Sequence, residues 1–218
     1  MPLNVDGKVK KRQAVLLLNS NIARRKELKQ GALMYMGIPV MYQGLTWDDY
    51  IFPSQSMEKL LRGYTDHCFE MYEDNVNLLL TGSNGAGKTY VASIILQYCY
   101  SYYFSARMIT FKELISKVFK GEDYSAYLEA DFLALDELGA EVSLKSDAEK
   151  SLLEDFLKQR FTKGKPTIIC SNLSKPSLKE RYGNTFYSML SEFVKVEITS
   201  KDGRPEAFRK KKALDFLR

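Results

Sequence analysis

Apolar residues recur along this chain in two rhythms. Val76–Thr81, Ala106–Thr110, Asp131–Glu137 and Thr167–Cys170 are short, nearly continuous apolar runs, the pattern of strands buried on both faces of a parallel sheet. Val194–Thr199 alternates apolar and polar positions instead, as a half-buried strand does. The intervening stretches follow a helical period: Val15–Met36 through Leu18, Ile22, Leu28 and Leu33, and Met57–Tyr72 through Leu60, Leu61, Tyr64, Cys68 and Met71. Thr89–Phe104, Phe111–Phe119 and Asp147–Phe161 read the same way, as do two short pieces, Leu178–Tyr182 and Thr185–Phe193, around Gly183. Gly37-Ile38-Pro39 stops the first helix, because proline forces its predecessor out of helical geometry. Pro53-Ser54-Gln55-Ser56 is a loop with a helix start, and Lys163–Pro166 and Lys201–Pro205 are turns. Residues 1–12 are polar and basic, and a basic final helix runs from Phe208 to Arg218. Strands alternating with helices predict an α/β architecture with a parallel central sheet.

The junction between the first strand and its helix carries the chemistry. Gly82-Ser83-Asn84-Gly85-Ala86-Gly87-Lys88-Thr89 satisfies G-x-x-x-x-G-K-[ST], a loop whose glycines let backbone N–H groups converge on phosphate oxygens. The following helix, entered through Tyr90, adds the positive end of its dipole. Lys88 is expected to reach the β- and γ-phosphates, and the Thr89 hydroxyl to ligate Mg²⁺. A Gly-rich turn that binds nothing would not need an apolar strand before it and a Gly- and Pro-free helix after it. The third strand ends in Asp136-Glu137. Its carboxyl end must deliver both acids beside the loop: Asp136 to the metal shell, Glu137 to the attacking water. The fourth ends in Ser171-Asn172, where Asn172 can bond the γ-phosphate or the water, or be a plain turn residue.

Composition narrows this only a little. The 218 residues are 45% hydrophobic and 27% charged, enough for one domain with a real core and a short extension. A net charge of +5 favours an anionic partner without proving nucleic-acid binding. Cys68, Cys99 and Cys170 are scattered and form no C-x-x-C pair, which argues against structural zinc and for a reducing cytoplasm. No apolar run has the length of a membrane span. Lys112, Lys117 and Lys120 admit two readings, a nucleic-acid path or a solvated face. His67 is given no role, and the tyrosines of the Thr89–Phe104 helix are read mainly as packing.

Gly37-Ile38-Pro39 with Tyr42 and Thr46-Trp47, Leu135–Gly139, Cys170–Leu173 and Phe208-Arg209 resemble the DnaC/DnaI helicase-loader and IstB transposition-ATPase group of AAA+ proteins over about residues 37–212. The resemblance implies an AAA+ P-loop three-layer sandwich with a parallel central sheet, over residues 46–218, preceded by a helical N-terminal extension, residues 1–45, for partner docking. It implies an ATPase using ATP and Mg²⁺, with Asn172 as first sensor and Arg209 as second sensor reaching the γ-phosphate. It also implies a cytoplasmic protein of DNA replication that binds the replicative helicase and single-stranded DNA and assembles with ATP into a homo-oligomer. Phage-encoded loaders are frequent in the group.

Two departures from the family pattern stand out. Where relatives carry an arginine finger in a Leu-Gly-Glu-Arg-x-x-x-Arg-like run, this chain has Tyr182–Met189, with Thr185 and Met189 at the arginine positions. Loss of such a finger costs a factor of about 10³ or more in hydrolysis, unless another arginine, Arg181 being nearest, substitutes. The N-terminus also lacks the four-cysteine module of some loaders. Three functions are therefore weighed: a helicase loader, an IstB-like transposition ATPase on duplex DNA, and a weakly hydrolysing ATP-gated regulator.

Overall fold

The computed structural model describes residues 30–140 and 147–199. Every apolar run becomes a strand: β1 (Leu78–Thr81), β2 (Ala106–Thr110), β3 (Phe132–Leu138), β4 (Thr167–Ser171) and β5 (Val194–Glu197). They form one sheet in the order β2-β3-β4-β1-β5, and all four pairings are parallel. Parallel strands need crossover connections, and the helices supply them. While α1 (Gln30–Tyr35), α2 (Gln55–Asp66) and α3 (Cys68–Glu73) precede β1, the crossovers are α4 (Lys88–Ser101) between β1 and β2, α5 (Phe111–Phe119) and α6 (Ser125–Glu129) between β2 and β3, α7 (Asp147–Thr162) between β3 and β4, and α8 (Lys175–Met189) between β4 and β5.

Side-chain alternation along the strands divides the interior into two cores. Leu78, Leu80, Ala134, Ile168 and Cys170 face α4 together with Leu61, Tyr64 and the residues Leu33, Met36, Ile38, Trp47 and Tyr50 that precede α2. Leu79, Leu133, Leu135 and Ile169 face the opposite way, onto Phe111 and Leu114 of α5, Leu153, Phe156 and Leu157 of α7 and Leu178, Tyr182 and Phe186 of α8. Helices on both faces of a parallel sheet make the expected three-layer sandwich. Helix α4 is buried continuously from Tyr90 to Cys99, which explains why its sequence shows no polar face.

The segment before α2 is fastened to the sheet through its backbone. The Met108 amide on edge strand β2 donates to the Met36 carbonyl at 2.7 Å. Gly37 (φ 78°) makes this approach possible, since a Cβ there would lie 2.3 Å from the Met108 carbonyl oxygen. The Gln97 side chain of α4 then clamps the next turn, accepting from the Gly44 amide at 2.7 Å and donating to the Tyr42 carbonyl at 3.0 Å.

Several boundaries differ from the periodicity. The helix expected over Met57–Tyr72 breaks at His67, which has φ −109° and ψ 32°. There the Thr65 hydroxyl turns back to the Arg62 carbonyl at 2.9 Å while accepting from the Trp47 indole at 2.9 Å, and side-chain bonds of this kind compete with helical geometry. Helix α4 stops at Ser101, because Tyr103 takes a left-handed φ of 69°. Helix α6 was not expected, and β1 starts at Leu78 because Asn77 is used otherwise: its carboxamide oxygen accepts from the Thr167 amide at 2.8 Å. Helix α8 is broken at Gly183 (φ 90°, ψ 177°), where two pieces were expected. Residues 15–29 of the helix expected over Val15–Met36, the turn 201–205 and the basic helix 208–218, with Arg209, lie outside the described residues.

Candidate nucleotide-binding site

The carboxyl ends of β1, β3 and β4 meet where the strand order reverses, which is where open α/β sheets bind ligands. Strand β1 ends at Thr81, and three left-handed glycines shape the loop after it: Gly82 (φ 145°), Gly85 (φ 81°) and Gly87 (φ 104°). A Cβ on Gly82 would sit 2.3 Å from the Ile198 carbonyl oxygen, whereas one on Gly85 meets nothing within 4 Å. Gly82 is therefore required by close approach as well as conformation, and Gly85 by conformation alone. Gly87 caps α4, so the N–H groups of the first turn, from Lys88, Thr89 and Tyr90 onward, open toward the concavity formed by Gly82, Ser83, Asn84, Gly85, Ala86 and Gly87. Ala86 is buried, while Ser83 and Asn84 are exposed at the rim.

The Lys88 ammonium donates to the carbonyls of Gly82 at 2.8 Å and Ser83 at 2.9 Å, which spans the loop. Partial burial lowers its pKa, opposed by the nearby Cys170 and Asp136. Next to it, the Thr89 hydroxyl donates to Asp136 Oδ2 at 2.8 Å, and the other oxygen, Oδ1, accepts from the Glu137 amide at 2.9 Å. Asp136 is 5% exposed, so both carboxylate oxygens are held in place. Cys170 lies against the same carboxylate, and burial, followed by Asp136, pushes its thiol well above the ordinary range.

Glu137 differs from Asp136 in every respect: its side chain is exposed and its backbone is left-handed at φ 57°. The cause is a β-bulge. Leu135 pairs with Ile169 and Leu138 with Ser171, so three steps on β3 span two on β4. The bulge reverses the outward direction of one side chain. A non-glycine residue held in this region carries strain of order 1–3 kcal/mol, which is common at functional positions. Asn172, exposed, follows β4 directly, and its neighbour across the gap is Gly139 (φ 95°), where a Cβ would lie 3.3 Å from the Asn172 Oδ1.

The structure thus brings together Lys88, Thr89, Asp136, Glu137 and Asn172 around the loop. Thr185 is exposed, while Met189 packs against the second core. Arg181 sits in α8, half-buried, just before the Gly183 break. Sequence reasoning named Ser171, Gly139 and Tyr42 only as members of motifs and gave no role to them or to Tyr50, which with Tyr42 braces Tyr90. Tyr42 stacks on the Tyr90 ring at 5.4 Å with 13° between planes, and Tyr50 meets it edge-on at 5.4 Å. Among the described residues, the buried Tyr50 and Tyr90 hydroxyls meet no hydrogen-bond partner. Burial alone raises the Tyr50 pKa to about 12, and burial, then Asp49, raises that of Tyr90. The Leu-Asp-Glu-Leu-Gly run could have signalled Gly139, since a glycine just past paired acids marks close backbone approach.

These residues fit a nucleoside triphosphate with a divalent cation. The glycine cradle suits phosphate oxygens, and Thr89 with Asp136 offers two hard oxygen ligands. Among the described residues no cluster of three or more His, Cys, Asp or Glu could hold a metal by itself. Mg²⁺ takes few protein ligands and completes its shell with water and phosphate, and the Thr89 and Asp136 oxygens are of the kind it takes.

Sheet order, phosphate loop and acidic strand together define a P-loop protein of the AAA+ type. Residues 8–192 match the family described as IstB-like ATP binding protein. The chain belongs to that family. It is also similar to the replicative helicase loader DnaC of Buchnera aphidicola subsp. Acyrthosiphon pisum (strain APS), at 25% identity over 84% of this chain and 82% of the relative. Among solved structures, the DnaC helicase loader superposes with a TM-score of 0.63 at 25% identity, covering 75% of this chain and all (100%) of that one. The structure of DnaI gives a TM-score of 0.60 at 21% identity over 75% of this chain and 96% of that one, a likeness of fold. Among the described residues no helix is long and apolar enough to cross a membrane.

Proposed function

We propose that this chain is an ATP-dependent loader of a replicative DNA helicase, with Mg²⁺-ATP binding and hydrolysis gating its assembly on single-stranded DNA. The observation that carries the reading is the joint presence of the Lys88–Thr89–Asp136–Glu137–Asn172 constellation and near-full-length similarity to DnaC loaders. In this reading Lys88 neutralises the β- and γ-phosphates, Thr89 and Asp136 hold Mg²⁺, and Glu137 orients and deprotonates the attacking water. Asn172 bonds the γ-phosphate or that water, and Arg209 acts as second sensor. Mg²⁺ supplies charge neutralisation across the phosphates when bound. Residues 1–45 dock the helicase, and residues 46–218 carry the ATPase. With Thr185 and Met189 at the finger positions, turnover by the isolated chain is slow.

Steady-state ATPase measurements alone and with single- or double-stranded DNA, beside Glu137→Gln, test this. Single-strand-stimulated turnover that falls at least ~100-fold in Glu137→Gln, with nucleotide binding retained, is the expected result. Stimulation by duplex alone would favour the IstB-like transposition reading, to which the family match lends weight. Binding without turnover above Glu137→Gln under any condition would leave a nucleotide-gated regulator.

A further inference from the structure

The β-bulge that aims Glu137 outward breaks the ladder between β3 and β4, and a side chain closes the break. The Ser171 hydroxyl donates to the Leu138 carbonyl at 2.6 Å and accepts from the Leu173 amide at 3.1 Å. Leu138 directly follows Glu137, and Leu173 directly follows Asn172. Ser171 and Leu138 are both 0% exposed, so no water can take over the bond between them. One oxygen atom thereby ties the backbone beside the water-activating acid to the backbone beside the first sensor. The face-to-face packing at this point is equally tight, since a Cβ on Gly139 would lie 2.6 Å from the Leu173 side chain.

We propose that Ser171 is a positioning residue that fixes Glu137 and Asn172 relative to each other for ATP hydrolysis. The proposal rests on the reading of the chain as an ATPase. It does not concern the phosphate loop: Lys88, Thr89 and Asp136 are held by their own bonds, and nucleotide binding does not pass through Ser171. Loss of the hydroxyl removes both of these bonds at the site where geometry sets the rate. Misplacement of reacting groups by about 1 Å can cost of order 10²-fold.

The test is single-turnover and steady-state hydrolysis of ATP by the full chain, with nucleotide affinity measured separately using a fluorescent ATP analogue. Ser171→Ala is expected to lower kcat by roughly 10- to 100-fold, with analogue affinity changed less than about threefold. Ser171→Thr, which keeps the hydroxyl, is expected to restore turnover. Ser171→Cys, a weaker donor of nearly the same size, should fall between, and it serves as the second variant if Ser171→Ala melts below the assay temperature. The discriminating measurement is the double variant. If Ser171 acts through Glu137, then Ser171→Ala adds little to the loss already caused by Glu137→Gln. Full additivity of the two losses would indicate a general structural defect and overturn the proposal. So would wild-type kcat in Ser171→Ala, with the ATPase reading left standing. Absence of wild-type turnover above Glu137→Gln would instead remove the ATPase reading, and this proposal with it.

Discussion

Backbone conformation and hydrogen bonding at single positions decide what the site can do. Gly82 shows it most plainly: its φ of 145° and the Ile198 carbonyl 2.3 Å from a would-be Cβ leave no room for a side chain. Gly82→Ala should therefore abolish nucleotide binding and destabilise the fold by about 1–3 kcal/mol, the usual cost of overpacking. Gly85→Ala, with open space around its Cβ, should cost only about 1–2 kcal/mol for its left-handed backbone. Urea titrations of the two variants, followed by analogue binding, would check the order. The constellation Lys88, Thr89, Asp136, Glu137 was legible in the sequence because each residue belongs to a motif with fixed spacing along the chain. Ser171 was not, because its role depends on a bulge that shifts register between two strands. Residue types alone do not announce a register shift, and the left-handed Glu137 that results is a conformation no propensity would predict.

Between elements, the connections opposite the nucleotide end depend on one buried cation. Arg160, near the end of α7, is 0% exposed. Its guanidinium donates to the Thr167 hydroxyl at 2.9 Å and to the carbonyls of Tyr127, Leu128 and Ala130 at 2.9, 3.1 and 2.9 Å. It also reaches the carbonyls of Lys165 and Pro166 at 3.4 and 2.8 Å. Five backbone carbonyls and a hydroxyl converge on it, so α6, β3, α7 and β4 are joined at their connections. Burial pulls its pKa down to about 9, against the raising influence of Asp131 and Glu129. Arg160→Met should cost at least about 3 kcal/mol in urea-denaturation stability, because several carbonyls lose their donor at once. Nucleotide binding by the folded fraction should be unchanged, since Arg160 lies at the far end of the strands. At this scale the sequence was informative for elements and poor for joints. Phe111–Phe119 was legible to the residue because Thr110 and Glu113 form a capping box at its start. The break at His67 was not, because it rests on Trp47, a partner distant in the chain.

Over the whole molecule, the two cores share one sheet, and the segment before the phosphate loop belongs to the first of them. Trp47, the one tryptophan of the chain, is 1% exposed and packs against Tyr50, Phe52 and Tyr98. Its fluorescence thus reports the packing of that segment on α4, while far-UV circular dichroism reports the helices of both faces. Coincident urea transitions by the two probes are expected for a single cooperative unit, and an earlier fluorescence transition would mean that the segment detaches first. The Met36–Gly37 backbone also has a consequence for solubility. By accepting from the Met108 amide it covers the β2 edge of the sheet at that point, and β5 is the terminal strand on the other side among the described strands. An outermost strand offers unpaired amides and carbonyls to any other chain. Here β5 is short, and the charged residues Lys195 and Glu197 are exposed on it beside Val194. Charge at such positions acts as a gatekeeper against intermolecular β-pairing. Replacement of both with valine should speed aggregation on warming, measured by light scattering, while the melting midpoint of the soluble fraction hardly moves.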